Sequence, residues 1–421
     1  MLPTLDSPTE DLERLHFLRA EVARHDALYF QQDSPEISDA AYDALRRELE
    51  DLEKKYPALA SPDSPLLKVG SEPRGRGLQE VTRDTPMLSL DKALKPEELR
   101  EFEEKIRRFL SDDGPIKYYV TPKFDGLAVE LTFADGELTL AATRGDGRVG
   151  ENVTANARVI KDIPPQISPG AFPGGVPSTV RVRGEIYMEK NEFARLNSER
   201  LNLGLPVFAN PRNAAAGALR QLDPNVTKER PLRFFAYGLA LPDLSPLAAF
   251  SQVMGLAAAM GFPVENSLFS KTVDNIDEAL NVFLQMEEKR DILPFEADGL
   301  VVTVEDLSLW ARLGATARAP RYAIAAKFKP RLAETKVLDI EVQVGRTGAL
   351  TPVALMEPVA VGGVTVSQAT LHNEGDLRKK DVRVGDTVKI QRAGDVIPEI
   401  VEVVMDKRPP GLAVFEFPQN C

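Results

Sequence analysis

The stretch YYVTPKFDG at residues 118–126 decides how the rest of the chain is interpreted. Its aromatic and β-branched residues predict a strand that ends near Lys123. A lysine can attack an electrophilic phosphorus when burial and neighbouring cations favour loss of its proton. Asp125 can orient the lysine or hold a metal, and Gly126 lets the backbone approach a nucleotide closely. A four-residue motif is a weak signal by itself, and its alternative is an exposed lysine beside a turn.

The composition is that of a soluble globular protein with several domains. The chain has 421 residues, 43% of them apolar and 28% charged, so two to four domains are expected. No run of eighteen apolar residues occurs, and the acidic N-terminus is unlike a signal peptide. The only cysteine, Cys421, excludes an intrachain disulfide framework. These features predict a cytoplasmic protein that does not span a membrane.

The charge distribution bears on nucleic-acid binding. The net charge is −12, which by itself is unusual for a protein that binds nucleic acid. Residues after 307 nevertheless carry a small excess of lysine and arginine over acids. Such an asymmetry permits a local phosphate-binding face. An ordinary solvated surface explains the same charges equally well.

Three regions differ in their sequence pattern. Residues 8–55 show apolar residues at helical spacing, and a new helix is expected near Ser38 and Asp39 because these are good N-cap residues. Residues 115–330 contain short β-rich runs such as TVRVRGEIYM (179–188), with a hairpin signal in ADGE (134–137) and helical stretches at 190–202 and 272–290. This pattern predicts an α+β domain around antiparallel sheet. Residues 335–406 contain short strands separated by glycines, a pattern that suits a small closed barrel such as the OB-fold.

The sequence therefore predicts a multidomain α+β protein. Its expected parts are a small helical domain at residues 1–72, an antiparallel-sheet domain at 73–330, and a barrel with an exit segment at 331–421.

Further motifs follow Lys123 in order: ATRGDG (142–147), RGE (183–185), FANPRNAAAG (208–217), FAYG (235–238), DGLVV (298–302) and AKF (326–328). This order resembles the nucleotidyltransferase superfamily of ligases and capping enzymes. The run NPRNAAAGALRQLDP at 210–224 looks specifically like the bacterial NAD-dependent DNA ligases. By this resemblance, residues 73–330 form an adenylation (nucleotidyltransferase) domain.

The resemblance extends to both flanks of that domain. Asp39, Tyr42 and Asp43 share one helix face, and together with Tyr29 they match the family positions that bind the nicotinamide mononucleotide (NMN) half of NAD. The alternative is a partly buried tyrosine with two surface acids. Ser89 and Leu90 match a segment beside the adenylate. VGRTG, TLHN and RAGDVIP in residues 344–398 match the family's OB-fold, so the resemblance covers nearly the whole chain.

The resemblance implies a DNA ligase reaction in three steps. Lys123 takes an adenylyl group from NAD and releases NMN. The adenylyl group passes to the 5′-phosphate of a nick in double-stranded DNA, and the 3′-hydroxyl then seals the strand. The implied cofactors are NAD and Mg²⁺ (or Mn²⁺), and the implied state is a monomer. No residue is assigned as a metal ligand, because Asp125 and Glu185 are shared with nucleotide binding.

Roles for other residues follow from the same resemblance. Arg144 and Lys327 are the expected cations near the nucleotide, and Asp125 belongs to the catalytic set. Glu185 would hold the ribose hydroxyls or a metal-bound water, and Tyr237 would help form the adenine pocket. The alternatives are a surface ion pair for Arg144 and a core position for Tyr237.

The residues expected to contact DNA are Arg212, Arg220, Arg346, Thr347, Arg392, Val396 and Ile397. Arginine contacts to phosphate position a duplex without reading its sequence. Val396 and Ile397 would press into the minor groove at the nick as apolar wedges, or they belong to the barrel core.

Three residues depart from the family pattern. Thr121 stands where the family has a glutamate that bonds the adenine amine. Thr303 stands where it has a lysine expected at the adenylate phosphate, and Phe30 replaces a histidine. A lost charge-assisted hydrogen bond weakens binding by about 1.5–3 kcal/mol. The sequence therefore predicts a working fold with impaired or altered self-adenylation.

A further departure is length. The family continues into a four-cysteine zinc module, helix-hairpin-helix motifs and a BRCT domain, whereas this sequence stops at Cys421. One cysteine cannot build a four-cysteine zinc site, so we expect weaker encirclement of DNA. A catalytically weak nucleotide- or nick-binding relative is the main alternative. An ATP- or GTP-using relative is disfavoured by the tyrosine and aspartate face of the helical domain.

Overall fold

The computed structural model describes residues 8–30, 37, 39–59, 61, 64–67, 77–112, 114–172, 174–208, 210–241, 247–264, 269–329, 331–344, 350–361, 364–371, 373–392 and 398–418. The chain divides into two compact units. One contains residues 1–28, 34–60 and 329–421, and the other contains residues 29–33 and 61–328. The domain limits expected at residues 72/73 and 330/331 remain predictions.

The N-terminal region is helical, as the apolar spacing predicted. Helix α1 spans Pro8–Phe30 and α2 spans Asp39–Lys55. Leu15, Leu18 and Leu49 are fully buried, because apolar residues three and four apart share one face of a helix. Among the described residues, no helix has the length and apolar character needed to cross a membrane.

The larger unit is built on two sheets and a small two-stranded pair. Its strands are β1 (Glu80–Thr82), β2 (Asp91–Ala93), β3 (Tyr118–Phe124), β4 (Leu127–Ala134), β5 (Glu137–Thr143), β6 (Val149–Glu151), β7 (Thr179–Met188), β8 (Leu232–Ala240), β9 (Lys271–Val273), β10 (Ala297–Val304) and β11 (Ala323–Lys327). The first sheet has the order β2-β11-β10-β3-β9 and the second has β5-β4-β7-β8, while β1 pairs with β6. The predicted antiparallel pairing is confirmed, except that β11 and β2 run parallel.

The helices of this unit are α3 (Pro96–Leu110), α4 (Thr154–Ala157), α5 (Lys190–Asn202), α6 (Pro211–Leu219), α7 (Pro224–Lys228), α8 (Phe250–Ala259), α9 (Ile276–Lys289) and α10 (Leu307–Leu313). The predicted helix at 190–202 is α5, and the one expected at 272–290 is α9. On α10, Trp310 stacks on Tyr322 with 3.9 Å between the ring centroids.

The strand sequences decide which side chains enter each core. Along β7, the even-numbered residues of 180–188 are buried and the odd-numbered ones are less so, since successive side chains point to opposite faces. The ADGE sequence forms the predicted β4–β5 hairpin. Asp135 and Gly136 both have positive φ, as a two-residue type I′ turn requires. The odd-numbered residues of β7 point away from this core, and they include Glu185 of the candidate functional site.

The C-terminal region forms a closed five-stranded barrel, which confirms the OB-fold expectation. Its elements are β12 (Arg331–Val344), β13 (Leu350–Val361), β14 (Val364–Thr370), α11 (Glu374–Lys380), β15 (Thr387–Arg392) and β16 (Glu399–Val403), with the strand order β12-β13-β14-β16-β15. Ala354, Leu371 and Ile390 lie in its core and are fully buried.

A buried carboxylate closes one part of the barrel region. The side chain of Asp386 is fully buried. It accepts hydrogen bonds from Arg408 Nε at 2.8 Å, from Arg408 Nη2 at 2.7 Å and from the backbone N–H of Arg383 at 2.8 Å. Bonds to Asp386, and then to Asp381, raise the pKa of the Arg408 guanidinium. The barrel therefore depends on one arginine to neutralise a charge that water cannot reach.

We predict that Arg408→Ala lowers the free energy of unfolding of the barrel by about 3–5 kcal/mol, because removing one partner leaves a buried charge unpaired. Hydrogen exchange in β12 and β15 measures this loss. The control is Arg378→Ala, which removes an exposed pair with Glu374 and is expected to change stability by less than about 1 kcal/mol. Equal effects of the two substitutions would contradict the prediction.

Candidate functional site

The site begins where β3 passes to β4. Strand β3 ends at Phe124 in the first sheet and β4 begins at Leu127 in the second, so Asp125 and Gly126 link the two sheets. A side chain at Gly126 would overlap the carbonyl oxygen of Ile186. Glycine is therefore needed for this close crossing, and the crossing brings Lys123 next to the second sheet.

Lys123 is held by a carboxylate from the neighbouring strand. Its Nζ donates hydrogen bonds to Asp298 Oδ1 and Oδ2, both at 2.8 Å. Lys327 Nζ lies 3.6 Å from Asp298 Oδ2. Burial would raise the pKa of Asp298, but the ammonium groups of Lys123 and Lys327 outweigh it and hold the pKa below its ordinary value. The ionised carboxylate of Asp298 thus balances the positive charge of both lysines.

The register of the first sheet explains this grouping. Gly299 of β10 lies opposite Lys123 of β3 on one side and opposite Lys327 of β11 on the other. A Cβ atom at Gly299 would overlap the carbonyl oxygen of Ala326. The glycine therefore allows β11 to approach closely, which sets the lysines on either side of β10.

The second sheet contributes a carboxyl group and nearby cations. Glu185 lies on β7 and is partly buried. Burial raises the pKa of Glu185 to about 7, against the opposing charges of Arg212, Lys123 and Arg144. Glu185 therefore interacts with the nucleophile candidate Lys123, with the predicted nucleotide cation Arg144, and with Arg212, which the resemblance assigned to DNA.

Asp125 and Arg212 form an ion pair inside the same region, with 2.7 Å between Arg212 Nη1 and Asp125 Oδ1. Arg212 lies in the first turn of α6, which begins at Pro211 and is capped by the side chain of Asn210. The NPRN sequence is thus a helix start that presents an arginine to Asp125.

Tyr237 occupies an irregular position on β8. The pairing of β7 with β8 shifts between Arg183, which faces Gly238, and Gly184, which faces Ala236. Tyr237 is the extra residue of this bulge, a feature that can redirect a side chain. Burial, and then the charge of Glu185, raise the pKa of Tyr237, so the phenol and this carboxyl group interact electrostatically.

Thr121 and Thr303 lie at different distances from Lys123 along the strands of the first sheet. Both are 6% exposed. Thr121 faces Val301, two residue pairs from the pair of Lys123 and Gly299, whereas Thr303 faces Tyr119, four residue pairs away. Position 303 is therefore about 13 Å along the strand from Gly299. That distance exceeds the reach of a lysine side chain to a group held at Lys123.

Ser89 and Leu90 precede β2, which forms the edge of the first sheet opposite to β9. The backbone N–H of Ser89 donates to the carbonyl oxygen of Arg318 at 2.8 Å, and Arg318 Nη2 donates to Asp91 at 2.8 Å. The segment is fixed to the loop before β11 by these bonds.

In the helical region, Tyr42 Oη donates to Asp26 Oδ1 at 2.7 Å and accepts from Arg46 Nη1 at 2.9 Å. Burial, and then Asp26, raise the pKa of Tyr42. Asp43 is 7% exposed, so the alternative of a surface acid does not hold for this residue. The side chains of Tyr29, Phe30 and Asp39 lie outside the described part of the structure.

Of the residues expected to contact DNA, Arg220 is largely buried and pairs with Glu151 at 2.8 Å. A phosphate contact through Arg220 requires this pair to open. The whole of Arg346, Thr347, Val396 and Ile397, and the side chain of Arg392, lie outside the described residues.

Asp298 was missed as a functional residue by the sequence analysis. The Asp-Gly pair at 298–299 was the available signal, but the contact with Lys123 spans 175 positions and depends on the register of β3 and β10.

Fold and site together define a nucleotidyltransferase-type adenylation unit, accompanied by a helical region and an OB-fold barrel. The NAD-dependent DNA ligase adenylation domain matches residues 76–331, and the NAD-dependent DNA ligase OB-fold domain matches residues 334–411. The DNA ligase-like N-terminal NAD⁺-binding domain matches residues 8–70. The chain belongs to the NAD-dependent DNA ligase family, which confirms the resemblance inferred from its motifs.

Curated relatives agree with this assignment. A DNA ligase of Syntrophobacter fumaroxidans is 49% identical over 408 residues, covering 97% of this chain and 60% of that protein. A DNA ligase of Desulfosudis oleivorans is 48% identical over 419 residues, covering 99% of this chain and 61% of that protein. The chain thus spans 60% or 61% of the length of these relatives.

The raised pKa of Glu185 predicts a pH-dependent stability. Between about pH 4.5 and about pH 7 the carboxyl is ionised in the unfolded chain and neutral in the folded one. The contribution of the Glu185 carboxyl group to the free energy of unfolding therefore has its full value below pH 4.5 and is lost as the pH rises through 7. We expect Glu185→Gln to be more stable than the natural chain at pH 8 by roughly 2–3 kcal/mol, with little difference at pH 4.5.

Urea unfolding monitored by Trp310 fluorescence at both pH values measures this difference. Glu101→Gln, at an exposed position on α3, is the control and should follow the natural chain at both. A constant gap between Glu185→Gln and the natural chain would contradict the assigned pKa.

Proposed function

We propose that this chain performs NAD-dependent DNA ligation, beginning with adenylylation of Lys123. Its Nζ attacks the phosphorus of the AMP half of NAD and forms a P–N bond. The P–O bond to the NMN phosphate breaks, and NMN leaves with the electron pair. Lys123 must first give a proton to water, since Asp298 holds its ammonium at rest through two hydrogen bonds of 2.8 Å.

The placement of Lys123 is the observation that carries this proposal. It lies at the crossing between two sheets, beside Lys327 and within the electrostatic reach of Glu185. At this crossing a lysine, further cations and a carboxyl group from facing elements meet. An exposed lysine beside a turn would have none of these neighbours.

The neighbouring groups have distinct roles in the proposed step. Negative charge develops on the phosphate oxygens during attack, and fixed cations stabilise it. Lys327, Arg144 and Arg212 are the cations of this site. Glu185 would accept or donate a hydrogen bond to the ribose hydroxyls, because a pKa of about 7 leaves both protonation states populated near neutrality.

A divalent cation fits the site only together with the nucleotide. The described residues contain no group of three or more histidine, cysteine, aspartate or glutamate side chains suited to a metal. Mg²⁺ commonly binds through one or two carboxylates, water and substrate phosphates. Glu185 is the carboxylate available for this mode, because Asp125 is engaged by Arg212. Mg²⁺ or Mn²⁺ would neutralise phosphate charge there.

The later steps act on a nick in double-stranded DNA. The adenylyl group moves from Lys123 Nζ to the 5′-phosphate, so a P–N bond breaks and a new phosphoanhydride forms. The 3′-hydroxyl then attacks the 5′-phosphate and AMP leaves. The barrel would hold the duplex through Arg346, Thr347, Arg392, Val396 and Ile397. Arg212 on α6 and Arg220 directly after this helix would contact DNA phosphates. The chain would act as a monomer, and a cytoplasmic location stays a prediction of the sequence.

The positions of the two threonines support a contact with the adenine base for both of them. With the reacting phosphate at Lys123, Thr121 and Thr303 lie progressively farther along the sheet, toward the base. We therefore assign both threonines to the base end of the pocket, and we no longer place position 303 at the phosphate. Threonine hydroxyls both donate and accept hydrogen bonds, so adenine would be held there by neutral groups alone.

We predict that the purified chain, incubated with NAD and Mg²⁺, gains the mass of one adenylyl group on the peptide that contains Lys123. Lys123→Ala should abolish this gain, because it removes the amine proposed to attack the phosphorus. Lys117→Ala removes an exposed lysine that pairs with Asp274 and should leave the gain unchanged. ATP in place of NAD should give little product.

Adenylation on another lysine would overturn the assignment of the nucleophile. Tight NAD binding without any added mass would favour the alternative of a nucleotide-binding relative, and efficient use of ATP would place the chain among the ATP-using ligases.

We predict that Thr121→Glu with Thr303→Lys raises the rate of adenylation by about tenfold, which corresponds to a gain of one charge-assisted hydrogen bond to the base. Single-turnover kinetics with NAD measures the rate. Thr139→Glu, which adds a carboxylate to an exposed position on β5, is the control. A folded double variant with an unchanged rate would show that the two threonines do not limit the reaction.

A further inference from the structure

Arg83 is a buried arginine that follows β1 and lies against the loop that carries Arg144. Its Nη1 donates to the carbonyl oxygen of Arg144 at 3.1 Å, and its Nη2 donates to that of Ala142 at 3.0 Å. Nη2 also donates to the carbonyl oxygen of Thr143. One guanidinium therefore binds three successive carbonyl groups at the end of β5.

Glu130 joins this arginine to the second sheet. It lies on β4 opposite Arg183 of β7 and is 5% exposed. Its Oε2 accepts from Arg183 Nε at 2.8 Å, and its Oε1 lies 3.3 Å from Arg83 Nε. Glu130 and Arg183 share the sheet face of Glu185, because Arg183 and Glu185 are two residues apart on one strand.

Both arginines also fix the segment that leads to Ser89. Arg183 Nη2 lies 3.3 Å from the carbonyl oxygen of Pro86 and 3.5 Å from that of Thr85. The backbone N–H of Arg83 donates to Arg148 at 2.8 Å, and that of Met87 donates to Gly147 at 2.9 Å. Residues 83–87 and the loop at 144–148 are thus held to each other and to the sheet.

The loop itself is tightly turned. Gly145 has a φ of 58°, and a side chain there would overlap the carbonyl oxygen of Val149. Asp146 Oδ1 accepts from the backbone N–H groups of Arg148 and Val149 at 2.8 and 2.6 Å. These bonds shape the turn, while Arg83 anchors its first residue to the protein interior.

A buried cluster of this kind is costly to form. Burial lowers the pKa of Arg83, which reflects the loss of water around the guanidinium. Buried ion pairs add little to stability, since the loss of hydration offsets the attraction. What the cluster does supply is a fixed geometry, because both terminal nitrogens of Arg83 donate to carbonyl groups and its Nε lies 3.3 Å from Glu130 without a hydrogen bond.

We propose that Arg83 is a positioning residue, which acts through Glu130 and the carbonyl groups of residues 142–144 to direct the Arg144 side chain into the site. The proposal rests on the function proposed above, in which Arg144 stabilises phosphate charge. Neither Arg83 nor Glu130 touches the reacting groups, so their effect on the reaction passes through Arg144.

The first test measures the loop without any substrate. In Arg83→Gln, hydrogen exchange at the amides of Gly147 and Val149 should become about tenfold faster, as expected for local opening after loss of buried hydrogen bonds. Arg181→Gln is the matched control, because Arg181 lies on the same face of β7 and its ion pair among the described residues is a 3.9 Å contact with exposed Asp84. Unchanged exchange in Arg83→Gln would overturn the proposal.

The second test is a double-mutant cycle on the adenylation rate of the full chain. Arg83→Gln and Arg144→Gln should each slow the reaction, and the double variant should be no slower than Arg144→Gln alone. Such non-additivity is the signature of two residues that act as one unit. Additive effects would show that Arg83 acts on overall stability and not through Arg144. Arg83→Lys should restore charge but less than half of the lost rate, since a single ammonium nitrogen cannot occupy the separate positions of Nη1, Nη2 and Nε.

Two further measurements distinguish a failure of the proposed function from a failure of the role proposed for Arg83. If the natural chain does not adenylate, the proposed function fails, and the exchange measurement still decides the role of Arg83. If Arg83→Gln does not fold, Glu130→Gln replaces it, because this substitution preserves side-chain size while removing the charge that orients Arg83. Faster exchange of the 144–148 loop in Glu130→Gln supports the proposal, and unchanged exchange contradicts it.

Discussion

The arrangement of the site depends on the carboxylate of Asp298, which is shared by two lysines. Lys123 and Lys327 come from strands on either side of β10, and Asp298 lies between them because Gly299 permits close approach of β11. Two ammonium groups this close would repel each other in the absence of an anion. The carboxylate therefore makes the pairing of cations tolerable in the resting protein, and an incoming phosphate would take over the same task.

The second constraint is the short crossing between the sheets. Only Asp125 and Gly126 separate β3 from β4, so the polar faces of the two sheets meet at this point. Each sheet also covers an apolar core with its other face, in which residues such as Val129, Leu131 and Val302 are fully buried. Alternation along the strands thus assigns apolar side chains to the cores and leaves Lys123 and Glu185 for the site.

Much of this architecture could be predicted from local sequence patterns. The strand at 179–188, the helix at 190–202 and the hairpin at 135–136 depend on neighbouring residues, and the order of motifs indicated Lys123 as the candidate nucleophile. Contacts between distant segments could not be predicted. The burial of Arg220 against Glu151, the bulge at Tyr237 and the role of Asp298 depend on register and packing across strands. The depth of Thr303 in the sheet likewise became clear only from its pairing with Tyr119.

The stacked pair of Trp310 and Tyr322 has a consequence for spectroscopy. Trp310 is the only tryptophan of the chain, and residues 329–421 contain neither tryptophan nor tyrosine. Emission excited at the red edge of the protein absorption band therefore arises entirely from the adenylation unit, from a ring 3.9 Å from its neighbour. The barrel is optically silent in such an experiment. A fluorescence titration with nucleotide would report on one unit alone, free of any signal from the other.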